Sequence, residues 1–223
     1  MARSDARGRP DADRGRPRPM APVQRRRRRR GPPPVRFPDG GETVARLGFL
    51  EATWLARFSR PAGERVVHRA VLRAPPRRIL EIGLGTLLRT RRVLRLVGAR
   101  LDATSIHYVG LDRFEGRQPG DPPGVTLKEA HRGLHGQARV QLVPGNVDTA
   151  LSRVCNHLAP FDLVLISADT DERQLDRCWF FLQRLTTATS RILVEERPGA
   201  AWATLSKQQL DDRAARTVMK RAG

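Results

Sequence analysis

The stretch Arg77-Arg78-Ile79-Leu80-Glu81-Ile82-Gly83-Leu84-Gly85-Thr86 constrains this chain more than any other. A short apolar run closed by two glycines, with a helical pattern from Leu87 to Ala99 directly after it, predicts a buried strand, a tight turn and a helix start. Glycines let the backbone pass close to a ligand, and the first N–H groups of a helix are free donors. The acidic Glu81 bears on the choice of ligand: it would repel a diphosphate and attract a positively charged amino-acid group.

The rest of the chain extends that unit. Val44, Leu47, Trp54, Leu55 and Phe58, then Val66, Val67, Ala70 and Val71, recur at helical spacing and predict two helices ahead of the first strand. Further strands are expected at Ile106 to Leu111 (with Asp112 at its end), Arg139 to Val143, Phe161 to Ser167 and Arg191 to Val194, with helices between them, one running from Asp171 to Leu185. Near-continuous apolar strands alternating with helices indicate an α/β fold, a doubly wound and mainly parallel sheet. Right-handed crossovers put every strand's C-terminal end on one edge, and ligands bind such sheets at that edge. On the helix after the first strand, Leu87, Leu94, Val97 and Leu101 are expected to pack inward while Arg89, Arg92 and Arg95 lie on another face. Trp202 to Lys220 reads as little more than one polar helix, so the C-terminal end of the sheet is expected to be short.

The Glu-x-Gly-x-Gly pattern at the end of a first strand resembles the first motif of the class I S-adenosylmethionine-dependent methyltransferases, across residues of roughly 76 to 196. Phe161-Asp162-Leu163-Val164-Leu165-Ile166-Ser167-Ala168-Asp169-Thr170 is similar to the fourth motif of their catechol and caffeoyl-type O-methyltransferases, with Ser167 where those enzymes place a metal-binding Asp. The resemblance implies S-adenosylmethionine as cofactor and methyl transfer to an acceptor the sequence does not identify, O-methylation of a small molecule being one form. It implies a cofactor site built from Glu81, Gly83, Gly85, Thr86, Asp112, Arg113, Asn146, Val147 and Ser167, with Asp112 holding the ribose. Asp169 is the candidate general base. Asn146 fits two roles, contacting the adenine amino group or simply starting a helix, and Val147 offers its N–H to the ring. Leu87 takes the place of a third glycine, which leaves the turn to Gly83 and Gly85.

Other chemistries fit less well. A nicotinamide site needs Gly-x-Gly-x-x-Gly, and Leu88 occupies the last position. His131 and His135 are four apart but lack a third ligand for zinc, and no dedicated metal site is expected, Asp169 with Glu195 or Glu196 at the end of the last strand being the oxygen-ligand set open to a hard cation. No Gly-x-Ser-x-Gly or phosphate-binding Gly-x-x-x-x-Gly-Lys sequence occurs.

Charge suggests a different partner. The chain carries a net +19; residues 1–40 hold 13 Arg against 4 Asp, and the remainder is basic as well. Yet 39 of the basic residues are Arg and 3 are Lys, a skew that a GC-rich genome produces without selection for binding. Residues 1–40, with Arg25 to Arg30 followed by Gly31-Pro32-Pro33-Pro34, are too poor in apolar surface to offset the entropy of ordering, and read as a disordered arm. That arm suits either electrostatic attachment to nucleic acid or no more than a solvated leader. Residues 41–75 form the N-terminal helices and 76–223 the methyltransferase-like domain. Cys155 and Cys178 make no disulfide framework, and no apolar run is long enough for a membrane helix, so a cytoplasmic protein is expected.

Overall fold

The computed structural model describes residues 48–222; the expected arm and the stripe members Val44 and Leu47 lie outside them. Two helices, α1 (Phe49–Phe58) and α2 (Glu64–Arg73), precede β1 (Arg78–Ile82) and α3 (Leu88–Gly98). The alternation continues through β2 (His107–Asp112), α4 (Leu127–Leu134), β3 (Arg139–Pro144), α5 (Val147–Val154) and β4 (Phe161–Ile166). After these come α6 (Glu172–Asp176), α7 (Trp179–Arg184), β5 (Thr186–Glu195), β6 (Trp202–Leu205) and α8 (Lys207–Ala222).

One six-stranded sheet results, in the order β3-β2-β1-β4-β5-β6. β1 to β5 run parallel and β6 is antiparallel to β5. The chain winds outward from β1 to β3, then returns to place β4 on the other side of β1, so the switch point lies between β1 and β4. The expected doubly wound, mainly parallel sheet is therefore what the structure shows.

Alternation along β1 decides which side chain meets which layer. Leu80 and Ile82 join Val109, Leu111, Val164 and Ile166 in a core covered by α5, α7 and α8 through Leu151, Trp179, Leu182 and Leu210. With a period of two, Ile79 and Glu81 face the opposite layer, where α3 buries Val93 and Leu94 against the sheet and α2 packs on α3. Each fully buried aliphatic side chain contributes about 1.5–3 kcal/mol, which is why both layers persist around a central charged residue. At α4, Thr126 and Glu129 close a capping box, satisfying two otherwise free N–H groups.

Several boundaries differ from the sequence expectation. The predicted 171–185 helix is two helices, α6 and α7, because the chain tightens at Arg177 and Cys178, whose N–H groups donate to Gln174 and Leu175 carbonyls. β5 begins at Thr186, as its polar first half lies beyond the apolar run that marks the strand. The C-terminal region adds a strand, β6, as well as α8; only Trp202 and Leu205 of that strand are buried, too sparse a pattern to register as one. Both cysteines are buried free thiols. No described helix is long and apolar enough to cross a membrane.

Candidate functional site

A cleft opens at the C-terminal edge of the sheet, lined by Gly83, Asp112, Arg117, Val147, Asp169 and Thr170 among others. It gathers the ends of β1, β2 and β4 with the turn into α5. Gly83 (φ 79°) and Gly85 (φ 57°) take left-handed conformations open to glycine, and a Cβ on Gly83 would stand 2.9 Å from the Ser167 Cβ. The turn is not left to those two glycines: Leu87 also adopts φ 65°. Such a conformation costs a leucine about 1–3 kcal/mol, and complete burial of its side chain offsets that by a similar amount.

Asp112, buried at the end of β2, ties the cleft together. Its Oδ2 accepts the Leu84 N–H at 2.7 Å and the Gly85 N–H at 3.2 Å, so the β2 carboxylate holds the β1 turn in shape. Its Oδ1 accepts the Phe114 N–H at 3.1 Å, at the start of a short 3-10 turn, Phe114–Gly116. Arg117 then donates Nη2 to both carboxylate oxygens at 2.7 Å. Arg113 also lines the cleft and pairs with Asp121 at 2.9 Å.

Glu81 has different partners from the ammonium expected of it. Its carboxylate is fully buried beneath the turn, accepting from Arg89 Nε (2.8 Å), Thr90 Oγ1 (2.9 Å) and the Tyr108 hydroxyl (2.7 Å). It is not among the residues lining the cleft. Burial, and then the Glu81 charge, hold the Tyr108 pKa well above its ordinary value, so the phenol stays a donor. Arg89 is buried, contrary to its expected place on an outer face of the helix. It shares the inward stripe of Val93 and Leu96, a spacing of four and seven that the sequence already carried. Its guanidinium also donates to the Gly83 carbonyl at 2.6 Å, lies 3.8 Å from Glu195 and stacks 4.9 Å from the Trp202 ring. Burial works against that charge, yet Glu81 and Glu195 leave the Arg89 pKa raised.

Ser167 also turns inward, donating its hydroxyl to Glu195 at 3.1 Å, while the Ala168 and Gly199 N–H groups bind the same carboxylate at 3.1 and 2.8 Å. Glu195 is thus committed to protein donors. Among the described residues no group of three or more His, Cys, Asp or Glu is arranged to hold a metal. Asn146 is exposed at the start of α5 without a side-chain capping bond, and Thr86 is exposed too; neither lines the cleft, although Val147 does. Asp169 lines it as well, and burial first, then the Glu195 charge, raise its pKa. Beside it the buried Thr170 Oγ1 has no hydrogen-bond partner among the described residues.

The arrangement brings Gly83, Asp112, Arg113, Val147 and Asp169 to one cleft. Glu81 and Ser167 support it from behind, and Gly85 supports it through its N–H to Asp112. Arg89 and Arg117 are the residues that sequence reasoning missed.

No family model and no curated protein sequence matches the chain. Among solved structures it is similar to an O-methyltransferase family protein from Burkholderia thailandensis, at 18% identity and TM-score 0.43 over 64% of this chain and 39% of that one. It is similar to an O-methyltransferase from Bacillus cereus solved in complex with SAH, at 16% identity and TM-score 0.45, covering 78% of this chain and 77% of the other. The O-methyltransferase TomG from Streptomyces achromogenes, solved in complex with SAM, gives 15% identity and TM-score 0.45 over 84% and 81% of the two chains. This chain thus spans about two fifths of the Burkholderia protein, and likenesses of this strength carry no weight beside the geometry above.

Proposed function

We propose that this chain is an S-adenosylmethionine-dependent methyltransferase whose cofactor lies in the cleft at the ends of β1, β2 and β4. The observation that carries it is Asp112: a buried carboxylate at the end of β2, hydrogen-bonded to the glycine turn after β1 and facing the same cleft as Gly83, Val147 and Asp169. A carboxylate in that position offers two acceptors to the neighbouring hydroxyls of a ribose. The unpartnered Thr170 hydroxyl, which also lines the cleft, suits the polar amino-acid end. At the sugar end a hydroxyl takes the place that Arg117 holds on Asp112, and Glu81 serves as the buried strut that holds Arg89 and the turn.

When bound, the cofactor supplies an electrophilic methyl on a sulfonium, transferred in line to an acceptor nucleophile with departure of a neutral thioether. The chain's part is mainly to hold the two reactants in register, an effect that supplies a large share of such rates. Asp169, its pKa raised by burial, is the group placed to take the acceptor's proton where one must leave. The acceptor class we favour is a small molecule methylated on oxygen, in a cytoplasmic setting that suits two buried free thiols.

Calorimetry of the full chain tests this. Micromolar binding of S-adenosylmethionine, abolished in Gly83→Arg and weakened in Asp112→Ala, is expected; NADH binding with no response to S-adenosylhomocysteine would contradict it. One observation favours a second reading: Glu81 and Asp112 both carry internal arginine partners, as a catalytically silent fold that binds nucleic acid or a protein through its basic surface would allow. On that reading a salt-sensitive nucleic-acid affinity survives Gly83→Arg, and no methyl transfer occurs to pooled acceptors.

A further inference from the structure

Asp112 is already saturated. Its two oxygens take five donor contacts, three from backbone N–H groups of Leu84, Gly85 and Phe114 and two from Arg117 Nη2. A carboxylate offers about four lone-pair sites, so a sugar hydroxyl gains a place there only if a present donor leaves. The N–H groups belong to the turn after β1 and to the 3-10 turn, and are fixed by the backbone. Arg117 is held only by its side chain.

The space that Arg117 occupies is specific. An added Cβ on Gly124 would sit 2.1 Å from Arg117 Nε and 2.5 Å from its Cζ, so the guanidinium fills a slot that exists because residue 124 lacks a side chain. Arg117 Nη1 donates to the Pro122 carbonyl at 2.9 Å, and its buried Nε has no partner among the described residues. A buried donor without an acceptor makes the docked position costly, by about 1–3 kcal/mol for such a group. Docking is thus kept by the Asp112 pair and the Pro122 carbonyl and opposed by the orphaned Nε.

We propose that Arg117 is a displaceable latch on the sugar subsite: it covers Asp112 in the free protein, and a nucleoside enters only by replacing the guanidinium with a sugar hydroxyl. This rests on the cofactor reading above. Arg117 thereby selects for a ligand that returns a hydroxyl donor, because one without it leaves Asp112 Oδ1 desolvated and short of a partner. It also makes the cleft weaker for every nucleoside than Asp112 alone would be, by the fraction of molecules in which the latch is open.

Calorimetric titration of the full chain with S-adenosylhomocysteine, alongside thermal melts to check folding, tests the latch. Arg117→Ala is expected to bind on the order of ten-fold more tightly than wild type. Gly124→Ala keeps Arg117 in the chain and evicts its guanidinium from the slot, so the same direction of change is expected from an independent position. Adding Asp112→Asn to either variant removes the gain. If wild type binds and both folded variants bind equally or more weakly, the latch is overturned while the cofactor reading stands. If wild type and both folded variants show no binding, the cofactor reading itself fails and takes the latch with it.

Discussion

Arg89 and Arg117 each neutralise a carboxylate near the C-terminal edge of the sheet, and the two pairs differ in what surrounds them. The Glu81–Arg89 pair lies under the turn with Thr90, Tyr108 and Trp202 closing it in. The Asp112–Arg117 pair lines an open cleft and leaves one guanidinium nitrogen without a partner. Both pairs are largely buried, so separating either strands a charge; the pair that lines the cleft differs in that a ligand can supply replacement donors when its cation leaves. One strand end is therefore a strut and its neighbour, on the proposed function, a binding position, although both read as acidic residues closing apolar runs.

Arg89→Ala should break the comparison most severely. It leaves Glu81 buried without its counter-charge, and a loss of about 3–5 kcal/mol in denaturant unfolding is expected. The double variant Arg89→Met with Glu81→Leu, which removes both charges, should recover much of that stability. An Arg89→Ala protein as stable as wild type would show that the pair is not structural.

Asp112→Asn should do the reverse, acting on ligand more than on fold. Stability is expected to fall by about 1–2 kcal/mol, since the backbone donors lose a charged acceptor, whereas S-adenosylhomocysteine affinity falls roughly ten- to hundred-fold. Equal affinity in wild type and variant, measured by calorimetry, would remove Asp112 from the site.

The smallest effect sharpens the sealed side. His68 is wholly buried between the Leu55 carbonyl and the Ser59 hydroxyl, near Glu64 and Arg92, and burial lowers its pKa from 6.5 to about 4. Because the unfolded chain binds this proton more readily, the contribution is full above pH 6.5 and declines as pH falls toward about 4. Glu64, its pKa raised by burial, works oppositely: its contribution is full below its ordinary 4.5 and is lost as pH rises through the folded value. Thermal melts should lose about 1–2 kcal/mol between pH 7 and pH 5, and less in His68→Asn. An identical pH dependence in the two proteins would place the titration elsewhere.

Legibility in the sequence followed the same division. The parallel sheet could be read because β1 and β4 are buried on both faces, and Asp112 because it closes a strand. β6 and the polar start of β5 could not, since their burial depends on neighbours far along the chain rather than on local pattern. Arg117 was hidden by abundance: among 39 arginines one more on a Pro/Gly-rich loop carries no signal, and its partner is set only when β2 and that loop meet. Glu81 turns away from the cleft for a simpler reason. Its neighbours Leu80 and Ile82 face the α5 and α7 layer, so alternation alone turns Glu81 toward α3.

The most direct test is a crystal structure of the full chain grown with S-adenosylhomocysteine. The nucleoside is expected beside Gly83 and Val147, with a ribose hydroxyl on Asp112 in place of Arg117. Saturating ligand bound elsewhere, or a bound nucleoside that leaves Asp112 untouched, would contradict the account.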